Sequence, residues 1–136
     1  MEAPRLYRDT TVYAYALGAN ETKVVIPDDK NIKRLTDCVF EMVSAEGNPL
    51  PADQCKLNVI ALPTGINRIG SRTFYNQAAL QKLYFHGPVV PDKVGAQALG
   101  NVNSGMWVLV PAGASLDDFA KKLNYPQVTN WDTWDP

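Results

Sequence analysis

The sequence predicts an α/β repeat fold: a short stack of parallel strands joined by tight arcs and closed at the C-terminal end by a helix. Three observations predict it. First, an apolar-x-apolar triplet recurs at Val24-Val25-Ile26-Pro27, Ile60-Ala61-Leu62-Pro63, Leu83-Tyr84-Phe85-His86 and Val108-Leu109-Val110-Pro111, and three of the four copies end in proline. Second, Ile60 to Leu83 is a step of 23 and Leu83 to Val108 a step of 25. A period in this range marks stacked repeats. Third, the stretch after Val110 leaves the pattern, as the last unit of a stack must if it is to cover an open core.

The elements follow in order. Residues 11–17 (Thr-Val-Tyr-Ala-Tyr-Ala-Leu) are rich in β-formers and read as a strand ended by Gly18-Ala19-Asn20. Lys23 to Ile26 is the next strand, and Pro27-Asp28-Asp29 turns the chain away because proline cannot continue a ladder. Ile32, Leu35 and Phe40 give a tight-turn or short-helix spacing, and residues 44–54 read as a loop inserted within a repeat. Leu57 to Leu62 is a strand, Gly65 to Gly70 a turn, and Ser71 to Ala79 a short helical stretch around Phe74. Leu80 to Phe85 repeats the strand; Val90, Val94 and Gly95 repeat the arc. Met106 to Val110 is the last predicted strand.

Ser115-Leu116-Asp117-Asp118 reads as a helix start with Ser115 as N-cap. Leu116, Phe119, Ala120 and Leu123 share one helical face, Lys121 and Lys122 suit the negative end of the dipole, and Pro126 is the stop. This helix is expected to cover the last strand edge. The chain reads as one domain over 1–136. Residues 1–21 are an N-terminal strand or cap, 22–110 the repeat units with the insertion at about 44–54, and 111–136 the C-terminal cap.

Composition narrows the function classes. Hydrophobic content of 46% against 20% charged residues is that of a folded domain, and 136 residues suffice to bury a core. A net charge of −1 offers no bulk attraction to nucleic acid or an anionic membrane. No apolar run approaches the ~20 residues that span a bilayer. Met1 to Arg5 lacks a signal-type apolar stretch, which leaves a cytosolic protein or an exported one whose signal has been removed. Cys38 and Cys55 with the single His86 cannot assemble the usual zinc ligands. The cysteines read as small buried hydrophobes, a disulfide across the 38–55 loop being the alternative.

No catalytic, cofactor-binding or metal-ligating set is predicted. His86 lacks a G-x-S-x-G elbow, Ser71 and Ser104 read as turn residues, and Asp28-Asp29 and Asp117-Asp118 read as a turn and a helix start rather than a calcium loop. Asn20-Glu21-Thr22 matches a glycosylation acceptor without further support. Trp131 reads as a core cap, with sugar stacking as the alternative, and Trp134 in Trp-Asp-Thr-Trp-Asp-Pro as a frayed end.

The stretch LNVIALPTGINRIGSRTFYNQAALQKLYF (57–85) resembles the BspA-type leucine-rich repeat of bacterial surface proteins, and MWVLVPAGASLDDFAKKLNYPQVTNW (106–131) is similar to that family's usual ending. The resemblance is weaker over 22–40, and the second unit departs from it with His86 in place of the proline and Ala98 or Leu99 in place of Phe74. It implies a leucine-rich-repeat solenoid, extracellular or at the cell surface, of the kind associated with adhesion. It implies a protein partner such as a host matrix protein or another surface component. No cofactor and no enzyme activity are expected, because a repeat array presents a surface rather than a catalytic pocket.

Alternation sends Val24/Ile26, Ile60/Leu62, Leu83/Phe85 and Val108/Val110 to the core. The opposite face then carries two rows: Lys23, Val59, Lys82, Trp107, and Val25, Ala61, Tyr84, Leu109. The candidate binding face is Val25, Val59, Lys82, Tyr84, His86, Trp107 and Leu109, where tryptophan and tyrosine would anchor a partner. Two other readings stand beside it. In one the chain is a structural part of a larger surface protein with no ligand of its own, its face covered by a segment such as residues 11–17 or by a neighbouring chain; in the other Tyr84 and Trp107 bind carbohydrate.

Overall fold

Apart from the first and last pairs, successive strands alternate between two sheets. The computed structural model describes residues 5–8, 10–15 and 21–136. Among these residues the strands are β1 (Arg5–Arg8), β2 (Thr11–Tyr15), β3 (Lys23–Val25), β4 (Arg34–Leu35), β5 (Val59–Leu62), β6 (Arg68–Ile69), β7 (Lys82–Phe85), β8 (Lys93–Val94), β9 (Trp107–Val110) and β10 (Val128–Asn130), with an α-helix, α1 (Leu116–Leu123), between the last two. One sheet has the order β10-β9-β7-β5-β3 and is parallel throughout. The other has the order β1-β2-β4-β6-β8, parallel except for the antiparallel β1–β2 pair. The architecture is therefore α/β, with parallel strands in two sheets and a C-terminal helix.

The apolar triplets meet as their spacing requires. Val24 pairs with Ile60, Ile60 with Leu83, and Leu83 with Val108. All four are fully buried, as are Ile26, Leu62 and Val110, and Phe85 is nearly so. From the other sheet Leu35 and Ile69 point into the same core, so one buried cluster runs from Val12 to Val128. Each such side chain contributes about 1.5–3 kcal/mol through burial.

Three expectations change. The two-residue strand β4 lies where a tight turn or short helix is predicted and β6 where a turn is predicted, and with β1, β2 and β8 they make a second sheet. Residues 71–79 form stacked turns, not a helix. Arg72 and Asn76 have φ of 55° and 61°, a left-handed conformation that interrupts a right-handed helix. Their backbone bonds run sideways to the neighbouring arc: Arg72 N to Ala96 O, Phe74 N to Ala98 O and Asn76 N to Gly100 O. Cys38, Phe40 and Met42 donate likewise to Ser71, Thr73 and Tyr75, and Phe40 stacks on Phe74 with ring planes 5° apart. Finally, Met106 to Val110 does not contain the last strand, because β10 adds to the outer edge of β9.

Helix α1 forms as its sequence dictates. Ser115 Oγ accepts from Asp118 N at 3.2 Å, Phe119 and Leu123 are buried, and Asn124 closes the helix in a left-handed conformation at φ 52°. The helix packs against β10 and β8. The β9 edge is thus covered by a strand rather than by the helix. Strand β2 belongs to the second sheet, Thr11 and Val12 pairing with Arg34 and Leu35 of β4, and so does not cover the candidate binding face; residues 16 and 17 lie outside the described residues.

The inserted loop is tied down by buried polar groups. Val43 bridges to Pro49, and Asn76 Nδ2 donates to Met42 O at 2.8 Å and Leu50 O at 3.0 Å. Gln77 Nε2 donates to Phe40 O at 2.6 Å. Cys55 is buried beside Asn76 O, but Cys38 is exposed on another arc, so the two form no disulfide and only one is a core residue.

Candidate functional site

Both sequence-derived rows exist in register. Lys23, Val59, Lys82 and Trp107 are cross-strand neighbours, and so are Val25, Ala61, Tyr84 and Leu109. They differ in exposure. Lys23 and Lys82 are exposed, Val59, Val25 and Leu109 half-buried, and Ala61 is fully buried. Trp107 is 43% exposed, whereas Tyr84 is only 6% exposed. Tyr84 therefore cannot serve as an open anchor.

The cover over Tyr84 is the C-terminal tail. Trp131 N donates to Val110 O at 2.9 Å, and its indole Nε1 donates to Phe85 O at 3.0 Å. This places Trp134 edge-on against Tyr84, with ring centroids 5.6 Å apart. Trp134 is also 5.3 Å from Trp131 and stacks on His86 at 4.0 Å. The expectation of a frayed Trp134 is thus corrected. Trp131 is half-buried and ties the tail to β7 and β9 rather than plugging the core end.

Three strand ends converge beneath this tail. Asp28, just after β3, accepts from Thr64 N at 2.6 Å through Oδ1. Its Oδ2 lies 2.6 Å from Nδ1 of His86, which follows β7. His86 takes the place that proline holds after the other triplets, and that departure is the sequence signal for this cluster. Nothing local in the sequence announces Asp28 or Trp134 as its partners. Chemically the group is a clamp: Asp28 holds one imidazole nitrogen, and Trp134 covers the ring face. Among the described residues no group of three His, Cys, Asp or Glu lies close enough to share a metal ion.

Beyond the tail the face is open. Trp107, Leu109, Lys82, Gln81, Asn103 and Thr129 border a pocket of about 640 Å³. Its apolar wall is the indole with Leu109, and its polar rim is an ammonium, two amides and a hydroxyl. Such a mixture suits a side chain with an apolar body and a polar end. Among the described residues no helix is long and apolar enough to cross a membrane. No family model, curated protein or solved structure matches this chain.

Proposed function

We propose that the chain is a short leucine-rich-repeat solenoid of the BspA-like kind, and that it acts as a non-enzymatic interaction module at the cell surface. The alternation of strands between two parallel sheets and the sideways bonding of the arcs support the solenoid reading. The surface location rests on the sequence resemblance. The binding surface is the open half of the β5-β7-β9-β10 face, and the partner is a protein.

The observation that carries the proposal is Trp107, 43% exposed at the wall of a pocket on an otherwise regular sheet. The tail supplies an internal precedent: the covered half of this face already holds a peptide segment through tryptophan side chains. A partner segment with an aromatic or aliphatic anchor would use the same chemistry at Trp107. Binding energy concentrates on such anchors, at about 2 kcal/mol or more each.

Surface plasmon resonance against immobilised host matrix proteins tests this. Trp107→Ala should weaken capture at least about tenfold and leave the melting midpoint nearly unchanged. Unaltered capture, or a large fall in the midpoint, would retire the reading. The burial of Tyr84 favours the second reading, a structural face, for the half beneath the tail. It also removes one member of the Tyr84–Trp107 pair on which carbohydrate binding would depend.

A further inference from the structure

A ladder of three cations crosses the outer face of the second sheet. Arg34 on β4 stands in register with Arg68 on β6, and Arg68 with Lys93 on β8. All three are exposed, while the next residues Leu35 and Ile69 are buried in the core. Neighbouring strands lie about 4.8 Å apart, so the three side chains rise from a line about 10 Å long. Lys122 on α1 prolongs it, its Nζ donating to Asp92 O at 3.1 Å beside β8. Together they line a groove of about 880 Å³ that reaches from Thr11 on β2 to Lys122.

This clustering is local, because the whole chain carries 13 basic and 14 acidic residues. Like charges directly opposite one another on adjacent strands destabilise a sheet. Two carboxylates border the groove, Asp37 and Asp92. Asp37 Oδ1 is occupied in accepting from Ser71 N at 2.8 Å. Among the described residues no ion pair joins Arg34, Arg68 or Lys93 to either carboxylate. The groove floor is bare backbone at Gly70 and Gly95. A Cβ at Gly70 would overlap Asp37 and one at Gly95 would overlap Ser71, so glycine at these positions lets successive arcs stack closely along the groove.

We propose that this groove binds a linear anionic polysaccharide, sulfated or carboxylated, lying across the strands. Guanidinium groups take sulfate and carboxylate oxygens in paired hydrogen bonds. One cation per strand, about 4.8 Å apart, suits a polymer that carries closely spaced anionic groups along its length. An extended acidic peptide places charges on one side only every second residue, about 6.6 Å, and falls out of step. This site lies on the sheet opposite Trp107 and does not depend on the partner proposed there.

The test uses the full chain and immobilised heparin at about 0.15 M salt. The triple variant Arg34→Gln, Arg68→Gln, Lys93→Gln should bind at least about tenfold more weakly, with a flatter salt dependence. A charge-matched control, Lys23→Gln, Lys30→Gln, Lys56→Gln, should stay within about twofold, because those lysines lie off the groove. Neutral dextran should not bind, and poly-glutamate should bind more weakly than heparin. Absence of wild-type binding, equal loss in the control, or equal affinity for poly-glutamate would each overturn the proposal. Hydrogen exchange on the unmodified protein gives a second readout should the triple variant not fold. Heparin should protect amides near residues 34–37, 68–71 and 93–96, and protection confined to other segments would overturn the proposal.

Discussion

The imidazole of His86 lies nearly parallel to the indole of Trp134, with ring centroids 4.0 Å apart and planes at 14°. The contact joins the end of β7 to a residue close to the C-terminus. Trp134 also closes over Tyr84, so the tail is part of the folded structure. Removing its anchor should therefore be felt at a distance in sequence.

Trp134→Ala should lower stability by about 1–2 kcal/mol, the loss of an aromatic contact and some apolar burial. It should also raise the reactivity of Tyr84 toward nitration. Denaturant unfolding and peptide mapping of the nitrated protein check both. An unchanged midpoint with Tyr84 still protected would mean that the tail is not what covers it.

Tyr84→Ala and Trp107→Ala should separate, although the two residues lie on the same face. Tyr84 is buried, and its truncation should cost about 2–4 kcal/mol. Trp107 is the more exposed, and its truncation should shift stability by no more than about 0.5 kcal/mol. Phe85→Ala, which empties a buried ring packed 5.2 Å from Phe119, should cost about 3–5 kcal/mol. Paired chemical denaturation curves measure all three.

Gly95→Ala should destabilise by about 2 kcal/mol or more, because its Cβ would meet the Ser71 backbone and push the stacked arcs apart. Gly105→Ala is the matched control. Its Cβ would have only Asn103 Oδ1 nearby, at 3.8 Å, and the change should be neutral or stabilise by about 0.4–1 kcal/mol. Equal melting midpoints for the two variants would contradict the stacking of the arcs.

Cys38 should be the thiol that reacts, and it should react slowly. It is exposed while Cys55 is buried. Partial burial of its sulfur, together with the Glu41 and Asp37 carboxylates, holds its pKa above the usual thiol range, with Arg72 acting in the opposite direction. A raised pKa means less thiolate at any given pH, so the pH–rate curve for iodoacetamide should lie to the alkaline side of a free cysteine. Glu41→Gln should move it back. Mass spectrometry locates the label; preferential labelling of Cys55 would refute the assignment.

The sheet built from the apolar triplets was legible because alternation and strand-ending prolines are local signals. Val24, Ile60, Leu83 and Val108 pair as their spacing suggests. The second sheet was not legible: Arg34–Leu35 and Arg68–Ile69 are two residues long and show no alternation to read. Phe74 suggested a helix because spacing cannot reveal the left-handed backbone at Arg72 and Asn76. The rows of the candidate site were legible, but their exposure was not. The bond from Trp131 Nε1 to Phe85 O spans 46 positions, and nothing within Trp-Asp-Thr-Trp-Asp-Pro encodes it.

The loop from Val43 to Leu50 has an asymmetric design. Its base is held on both sides by the Asn76 carboxamide, through Met42 O and Leu50 O, while residues 45–49 at its tip are exposed. A protease cutting at that tip would leave each new end tethered to the same asparagine and to its own flank of the core. The nicked molecule would persist as a two-piece particle. The same tip is where a reporter or epitope could be spliced in without disturbing either sheet.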